Sequence, residues 1–578
     1  MKLRTHSVVS YLVFALALTL AVSLCPAGLA QTGSSSLRGT VSDPKGAVVP
    51  EAEVTLNNSQ IGITLTTKTD KNGGYQFLEV RPATYTLTVS AAGFSTLKQS
   101  GLILLVATPT TNDVTLQIST GVTTVEVTAA LQTINTSDAT IGNAFNQTQL
   151  GSLPFEGRDP AGILSLQPGV VTVADRGKVD TNGDSRGGAV NGARSDQTNL
   201  TLDGIDNNDQ VQGNAFVGAL RTTLDSIEEF RVTTTNSDAD TGRSSGAQVS
   251  LVTKSGTNQI HGSAYEYNRP TNLVANDYFN KHSQLTNGQS NVPPRLLRNT
   301  FGGSVGGPIK KDRLFYFASY EGQRTRESYE VSRVVPSAAL RDGVIQYPCA
   351  GGTTDCPGGP QNSATGQSGT VYAPGPGSNA LGPGQIATMD QICTVTCTPT
   401  AQYPLLGRGV DPYVLQTLNT YPLPNSDNCG DTLNYRCFNF SAPTPSKLDT
   451  YVAKFDYNIT ANQRLFVRLG MQNDHGVPTT VSGDQNGTNS GAQQFPGQTD
   501  SVIETNNSKG IVGGYTWVIS PTKVNNFHYG FIRQGIGTNG ASNENFVRLR
   551  GLDTPVADNR TTSKIVPVHN FTDDFSWT

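Results

Sequence analysis

Apolar and polar residues alternate with period two along much of this chain. Ala52, Val54 and Leu56 share one face of a short segment, and Tyr85, Leu87 and Val89 repeat the pattern. Alternation of this kind predicts half-buried β-strands rather than helices. Turn residues punctuate it: Asp43-Pro44-Lys45-Gly46 follows Leu37 to Val41, and Thr69-Asp70-Lys71-Asn72-Gly73-Gly74 leads into Tyr75 and Phe77. About seven strands in roughly eighty residues predict a β-sandwich over residues 31–119.

The alternation returns after residue 260 with longer strands. Leu465, Val467, Leu469 and Met471 share one face, with Arg464, Arg468 and Gly470 on the other. Tyr451, Ala453, Phe455 and Tyr457 alternate with Thr450, Lys454 and Asp456, and Phe527, Tyr529 and Phe531 with Asn526, His528 and Gly530. Tyr265 and Tyr267 flank Glu266 in the same manner, and further strands are expected over 301–309, 314–323, 511–519 and 571–577. One apolar, aromatic face and one polar face is what a transmembrane strand needs, with lipid on one side and a polar lumen on the other. A soluble sandwich alternates too, so each strand alone decides little. Residues 330–445 form a Gly/Pro-rich stretch, expected as a long extracellular loop.

Between these regions, residues 131–259 are rich in Asn, Asp, Ser, Thr and Arg. Ile163 to Gln167, closed by Pro168-Gly169, suits a short helix. Glu228, Glu229, Arg231 and Arg243 are candidates for internal or domain–domain ion pairs. Asp180 to Asp184 and Asp203 to Asp209 are oxygen-rich. They lack the closing Glu of a calcium loop and are expected as turns.

At the N-terminus, Lys2, Arg4 and His6 precede an apolar run from Val8 to Leu24, then Cys25, Pro26 and Ala27-Gly28-Leu29-Ala30. This is the pattern of a secretory signal peptide over residues 1–30. An export signal makes cysteine pairing relevant. Cys349, Cys356, Cys393, Cys397, Cys429 and Cys437 follow it, all in the Gly/Pro-rich stretch. Six cysteines allow about 15 pairings, and neighbour pairing (349–356, 393–397, 429–437) is the favoured one. Zinc is disfavoured, since there is no C-x-x-C and no His nearby.

Charge narrows the function classes. Across 578 residues there are 41 Lys+Arg and 45 Asp+Glu, a net charge of −4, which excludes a nucleic-acid binder carried by bulk positive charge. The hydrophobic share of 36% is lean, as expected where only half of each strand faces lipid. The six His are scattered and neither a P-loop nor H-E-x-x-H occurs. No enzyme, cofactor or metal site is expected.

Three sets of residues carry a resemblance. Gly39, Asp43, Gly46, Val49, Ala52, Val54, Asp70, Gly73, Tyr75, Phe77, Pro82, Tyr85, Gly93 and Phe94 resemble the carboxypeptidase regulatory-like domain, a transthyretin-like sandwich, with Ala83 where that family usually has Gly. That domain is an accessory module and implies no peptidase. Thr124-Val125-Glu126-Val127-Thr128-Ala129 resembles a TonB box, the strand by which outer-membrane transporters engage the energy-coupling protein TonB. The same residues also suit a last strand of the preceding sandwich. Gly157 and Arg158, Asn191 and Gly192, and Leu202, Asp203, Gly204 and Asp206 stand in an order similar to the plug of TonB-dependent receptors of the Oar-like type.

This resemblance implies a mainly β chain in the outer membrane of a Gram-negative-type bacterium: signal peptide, sandwich, TonB-box-like linker at 120–130, α+β plug at 131–259, then a partial antiparallel transmembrane β-barrel over 260–578. The implied partners are TonB, outer-membrane lipids and an unidentified extracellular ligand, with no nucleic acid. The implied function is TonB-powered import, and the alternative is surface binding or adhesion without transport. The barrel region holds roughly eight to ten strands where plugged transporters have about 22. The chain is therefore expected to be an N-terminal fragment of a longer receptor.

Overall fold

The computed structural model describes residues 34–577 except 107, 120–123, 129–139, 153–157, 159, 161–163, 165, 174–186, 194–196, 212–217, 238–245, 277, 287, 289, 349–385, 391–410, 479–492, 521, 541–548 and 555–560. The expected signal peptide lies outside the described residues, as do Asp180–Asp184, Gly157, Ala129, Arg243 and the four cysteines 349, 356, 393 and 397.

The first domain is a sandwich. One sheet joins β1 (Ser35–Ser42), β4 (Gly74–Val80), β7 (Pro109–Thr111) and β8 (Val114–Thr115). The other runs in the order β3 (Ile63–Lys68), β2 (Glu53–Asn58), β5 (Ala83–Ser90), β6 (Thr96–Leu104) and β9 (Thr124–Thr128). Alternate residues point inward from both sheets, so Leu37, Val54, Leu56, Phe77, Tyr85, Leu87 and Leu104 form one core. Thr69 is buried where the chain turns back toward β4. Its hydroxyl accepts from the Ala52 amide at 2.8 Å and donates to the Val49 carbonyl at 2.7 Å. Thr69→Val keeps the shape and strands both backbone groups. It is expected to cost about 1–3 kcal/mol, read as a lower urea midpoint of the isolated 31–119 domain.

The second domain is built on a mixed sheet in the order β10 (Ile141–Asn146), β15 (Ile227–Thr235), β16 (Gln248–Thr253), β13 (Asn199–Leu202) and β14 (Ile205–Asp206). A separate hairpin pairs β11 (Val170–Val173) with β12 (Gly187–Val190). Two turns here are dictated locally. Asn191-Gly192 has φ of 50° and 82°, and Asp203-Gly204 has 50° and 84°. Positive φ at both central residues is the type I′ hairpin, for which Asn-Gly and Asp-Gly are the preferred pairs.

The third region is a ten-stranded antiparallel sheet. Its path runs through β17 (His261–Pro270), β18 (Leu296–Lys310), β19 (Leu314–Pro336), β23 (Ser446–Thr460), β24 (Gln463–Gly476), β26 (Lys509–Ser520), β27 (Lys523–Gly540) and β28 (Thr562–Trp577). β22 (Tyr435–Pro443) pairs with the far half of β19, and β25 (Val502–Asn506) bridges the upper ends of β24 and β27. β17 and β28 are the two edges, so the described strands form a partial barrel.

Register sorts the faces. Tyr451, Phe455, Leu465, Leu469, Met471, Ile511 and Phe527 are exposed on the outer face. Their neighbours Thr450, Lys454, Arg468, Gln472, Asn526 and His528 are buried on the inner face. That is the apolar-out, polar-in arrangement of a membrane barrel. The connections at 311–313, 461–462 and 521–522 are short, whereas those at the opposite end are long. Short turns mark the periplasmic end of such a barrel.

Two expectations are corrected. Tyr265 and Tyr267 do not join the lipid face. Tyr265 donates to Glu321 at 2.8 Å, and both rings lie against Arg158 of the second domain. Alternation told which residues share a face but not which face meets lipid. The stretch 330–445 is also not wholly loop. Ser328 to Pro336 pairs with β22 in continuous register, because β19 runs on beyond the membrane band.

Beyond that band, at the long-loop end, β20 (Val344–Pro348) pairs with β21 (Ile386–Asp390), and Pro412–Asn419 is helical. Leu418, Tyr421, Val335, Phe495 and Leu552 make a small core there. Arg333 is fully buried beside it and donates to the Gln494 carbonyl at 3.2 Å. Cys429 and Cys437 are joined by a disulfide in this cap.

Candidate functional site

The second domain sits in the lumen, against the inner face of the sheet. Apolar packing accounts for part of this: Leu220, Ile205 and Phe230 share a core with Val512 and Ile532 of the barrel. Polar contacts then decide its orientation.

The most buried of these centres on Asp203. The type I′ turn after β13 sets its carboxylate 3.3 Å from Lys454 Nζ and 3.5 Å from Arg468 Nε. It also accepts from the Thr253 amide at 2.9 Å and from the Thr253 hydroxyl at 2.7 Å. Lys454 donates in addition to the Thr253 carbonyl at 3.0 Å and lies over the Phe466 ring. Burial alone would raise the Asp203 carboxyl. The two cations and the Thr253 hydrogen bonds outweigh it and hold the group below the usual carboxylate range. Three buried charges meet here with one positive charge in excess, which is tolerable only while Asp203 is ionised.

Three further contacts ring the domain. Arg158, in left-handed conformation at φ 52°, pairs with Asp225 at 2.8 Å and lies 3.9 Å from Glu321. Its guanidinium stands 4.1 Å from the Tyr267 ring centre and 4.9 Å from that of Tyr265, a cation–π geometry. Arg221 pairs with Asp474, and its amide donates to Gln472 at 2.7 Å. Gln534 donates to Asp209 and accepts from the Gln210 amide, at 2.7 and 2.8 Å.

The residues singled out from sequence divide unevenly. Asp203 and Arg158 are at the domain interface, and Gly204 shapes the Asp203 turn. Leu202 is in the hydrophobic core. Asp206 accepts from the Asn208 amide, as a turn residue does, and Asn191 donates to the Thr234 carbonyl at 2.9 Å. Gly192 is in the β12 hairpin turn. Among the described residues no cluster of His, Cys, Asp or Glu is arranged to hold a metal ion.

Glu229 and Arg231 do not reach the barrel. Glu229 accepts from the Val106 amide at 2.8 Å, and Arg231 donates to Thr108 and Thr140. They fasten the second domain to the end of the sandwich instead. Burial pushes the Glu229 carboxyl up to about 8, against the lowering effect of the Val106 amide. The sequence placed Lys454 and Arg468 on the polar faces of their strands but gave them no partner, and it did not single out Arg221, Glu321 or Asp474. The one signal for Lys454, Arg468, Glu321 and Asp474 is that they are charges on the lumen face of barrel strands.

The strand at Thr124–Thr128 pairs in parallel with β6, Leu97 opposite Val125 and Gln99 opposite Val127. It is the edge of its sheet, with Glu126 paired to Lys98 at 2.8 Å. Of the two readings left open by sequence, the structure places the residues as a last strand on the sandwich. Among the described residues no strand pairs with the outer edge of β9, and a free strand edge can accept a further strand.

Residues 252–577 match the family described as Outer membrane beta barrel domain, and residues 36–117 the Carboxypeptidase regulatory-like domain. The TonB-dependent transporter Oar of Myxococcus xanthus is 26% identical over 314 residues, which is 54% of this chain and 28% of that protein. The chain thus spans little more than a quarter of the length of this curated relative. Among solved structures, the outer membrane transporter YddB from Escherichia coli aligns with a TM-score of 0.45 at 10% identity, over 76% of this chain and 45% of that one. The ferric enterobactin receptor of Pseudomonas aeruginosa aligns with a TM-score of 0.36 at 11% identity, over 75% and 46%.

Proposed function

We propose a transport function from one premise: this chain belongs to the family of the outer membrane beta barrel domain, which matches more than half of it. The curated relative that it matches is described as a TonB-dependent transporter. The reading is an outer-membrane receptor that captures an extracellular ligand and imports it with energy drawn from TonB. Ligand would be held by the long loops and the upper face of the lumen domain. TonB would pair with the exposed edge of β9 and pull.

The observation that carries this reading is a folded domain held inside a barrel sheet by buried charge pairs, with an edge strand on the short-turn side. An empty wide barrel would leak, so a filled one needs a means of moving its filling. A pull from the periplasmic side can reach the lumen domain through the sandwich, Val106 and Glu229.

Proline at Val125 and Val127 removes two backbone donors and blocks strand pairing. We expect V125P/V127P cells to bind labelled ligand at the surface as before and to lose uptake. Uptake unchanged by these prolines would overturn the TonB reading. Loss of both binding and uptake would point to a folding defect, which surface protease resistance would reveal. The alternative, adhesion without transport, predicts binding with no uptake even in the parent protein.

A further inference from the structure

The sandwich does not hang free below the barrel; it is seated on the rim at the short-turn end. Asn258, just before β17, donates from its backbone amide to the Gln60 carbonyl and from its side chain to the Ser59 carbonyl, both at 2.7 Å. Asn458 of β23 donates to the Ile61 carbonyl at 3.1 Å. Gly62 lies so close to the turn after β18 that a Cβ there would sit 2.6 Å from the Asp312 backbone.

A second point of attachment enters the barrel mouth. Glu79, at a left-handed kink in β4 with φ 50°, accepts from Asn526 of β27 at 2.9 Å and from Ser34 at 2.5 Å. The Glu79 carbonyl accepts from Arg464 of β24 at 3.2 Å. Arg81 reaches Asp456 of β23 at 3.6 Å.

Above these residues is a cavity of about 110 Å³, lined by Glu79 and Arg81 from the sandwich, Asp203 from the lumen domain, and Lys454, Thr516 and His528 from the barrel. A space of that size is large enough for a few waters. Burial pushes the Glu79 carboxyl up to about 7, assisted by Asp574 and opposed by Ser34, Arg464 and Asn526. The seat therefore accepts a neutral acid readily.

We infer that the N-terminal sandwich is a removable floor, which seals the periplasmic mouth of the lumen on this side and must leave its seat before a solute can exit. The inference rests on the transport reading for what the floor releases, but not for the seal itself. Because β9 is a strand of the same sandwich, a pull on it bears first on this floor and then, through Val106 and Glu229, on the lumen domain. The sandwich is thereby the first element to move.

The seal is tested in the full-length protein in its native membrane by placing a cysteine at Thr516, inside the cavity. A membrane-impermeant maleimide is then supplied from the periplasmic side. With the floor seated, T516C is expected to label slowly. E79K and, independently, R81E break the two attachments and are expected to raise the rate about tenfold or more, as local opening exposes the site. E79Q retains the neutral seat and should keep T516C protected. Equal labelling in all four backgrounds would overturn the floor. A Q60C/N258C pair, oxidised across the rim, should keep T516C protected and stop uptake until reduced. Full uptake by the oxidised protein would also overturn it. Should labelling behave as expected while the parent protein imports nothing, the floor stands and the transport reading falls.

Discussion

Asp203→Ala is expected to release the lumen domain from the barrel wall. The substitution leaves Lys454 and Arg468 buried beside each other with no counter-charge. Removing one partner of a buried ion network costs about 3–5 kcal/mol, because the charges left behind remain desolvated. The readout is hydrogen exchange across β13 and β16, together with protease entry into the lumen domain. Both should rise while the barrel strands stay protected. Replacing all three charges, as D203A/K454M/R468M, removes the stranded cations and should recover most of the loss. An intact exchange pattern in D203A would show that apolar packing alone holds the domain. The pH dependence has a definite sign. The folded-state pKa of Asp203 lies below its ordinary value. Its stabilisation is therefore complete above the ordinary carboxylate pKa of about 4 and is lost as pH falls through the folded value. Mild acid, near pH 5, should leave the domain seated.

Leu469→Arg gives the second large effect, for a different reason. Leu469 is 45% exposed on the outer face, with Ala453 and Ile511 as its cross-strand neighbours. In water this is an ordinary surface position and the change would matter little. Facing hydrocarbon, an arginine there costs about 2–4 kcal/mol near the bilayer midplane. The same change at Ile519, beside the short turn at 521–522, should cost about 0–1 kcal/mol. Folding titrations in lipid vesicles measure both. Equal costs at the two positions would mean that the apolar band does not face a membrane.

Both expectations depend on residues that differ in how openly the sequence displays them. The outer band was legible, because alternation is local and a strand shows both of its faces to the reader. Leu465 to Met471, Tyr451 to Tyr457 and Phe527 to Phe531 all lie where alternation put them. The run from Asp203 was legible as a turn for a similarly local reason, since few residues other than Gly and Asn or Asp accept positive φ. The partners of that turn were not legible. Asp203 meets Lys454, which is 251 residues away in sequence, and nothing near either residue encodes that meeting.

The sequence by itself determined the strands of the sandwich and the barrel, many of their turns and the two-faced barrel wall, because each follows from short-range periodicity and backbone preference, while the order of the three regions is what the family resemblance implies. Only the tertiary structure decided which way a face points and which charges meet. Tyr265 and Tyr267 alternate like lipid-facing residues, yet they turn inward because Arg158 is there to stack against. Glu229 and Arg231 read as ion-pair candidates, yet they bind backbone and hydroxyl groups at the end of the sandwich. The strand at Thr124–Thr128 was plain as a strand, but its parallel partner β6 depended on how the sandwich closed. Such outcomes are set by long-range register and burial, where a charge is worth what its distant neighbours make it worth.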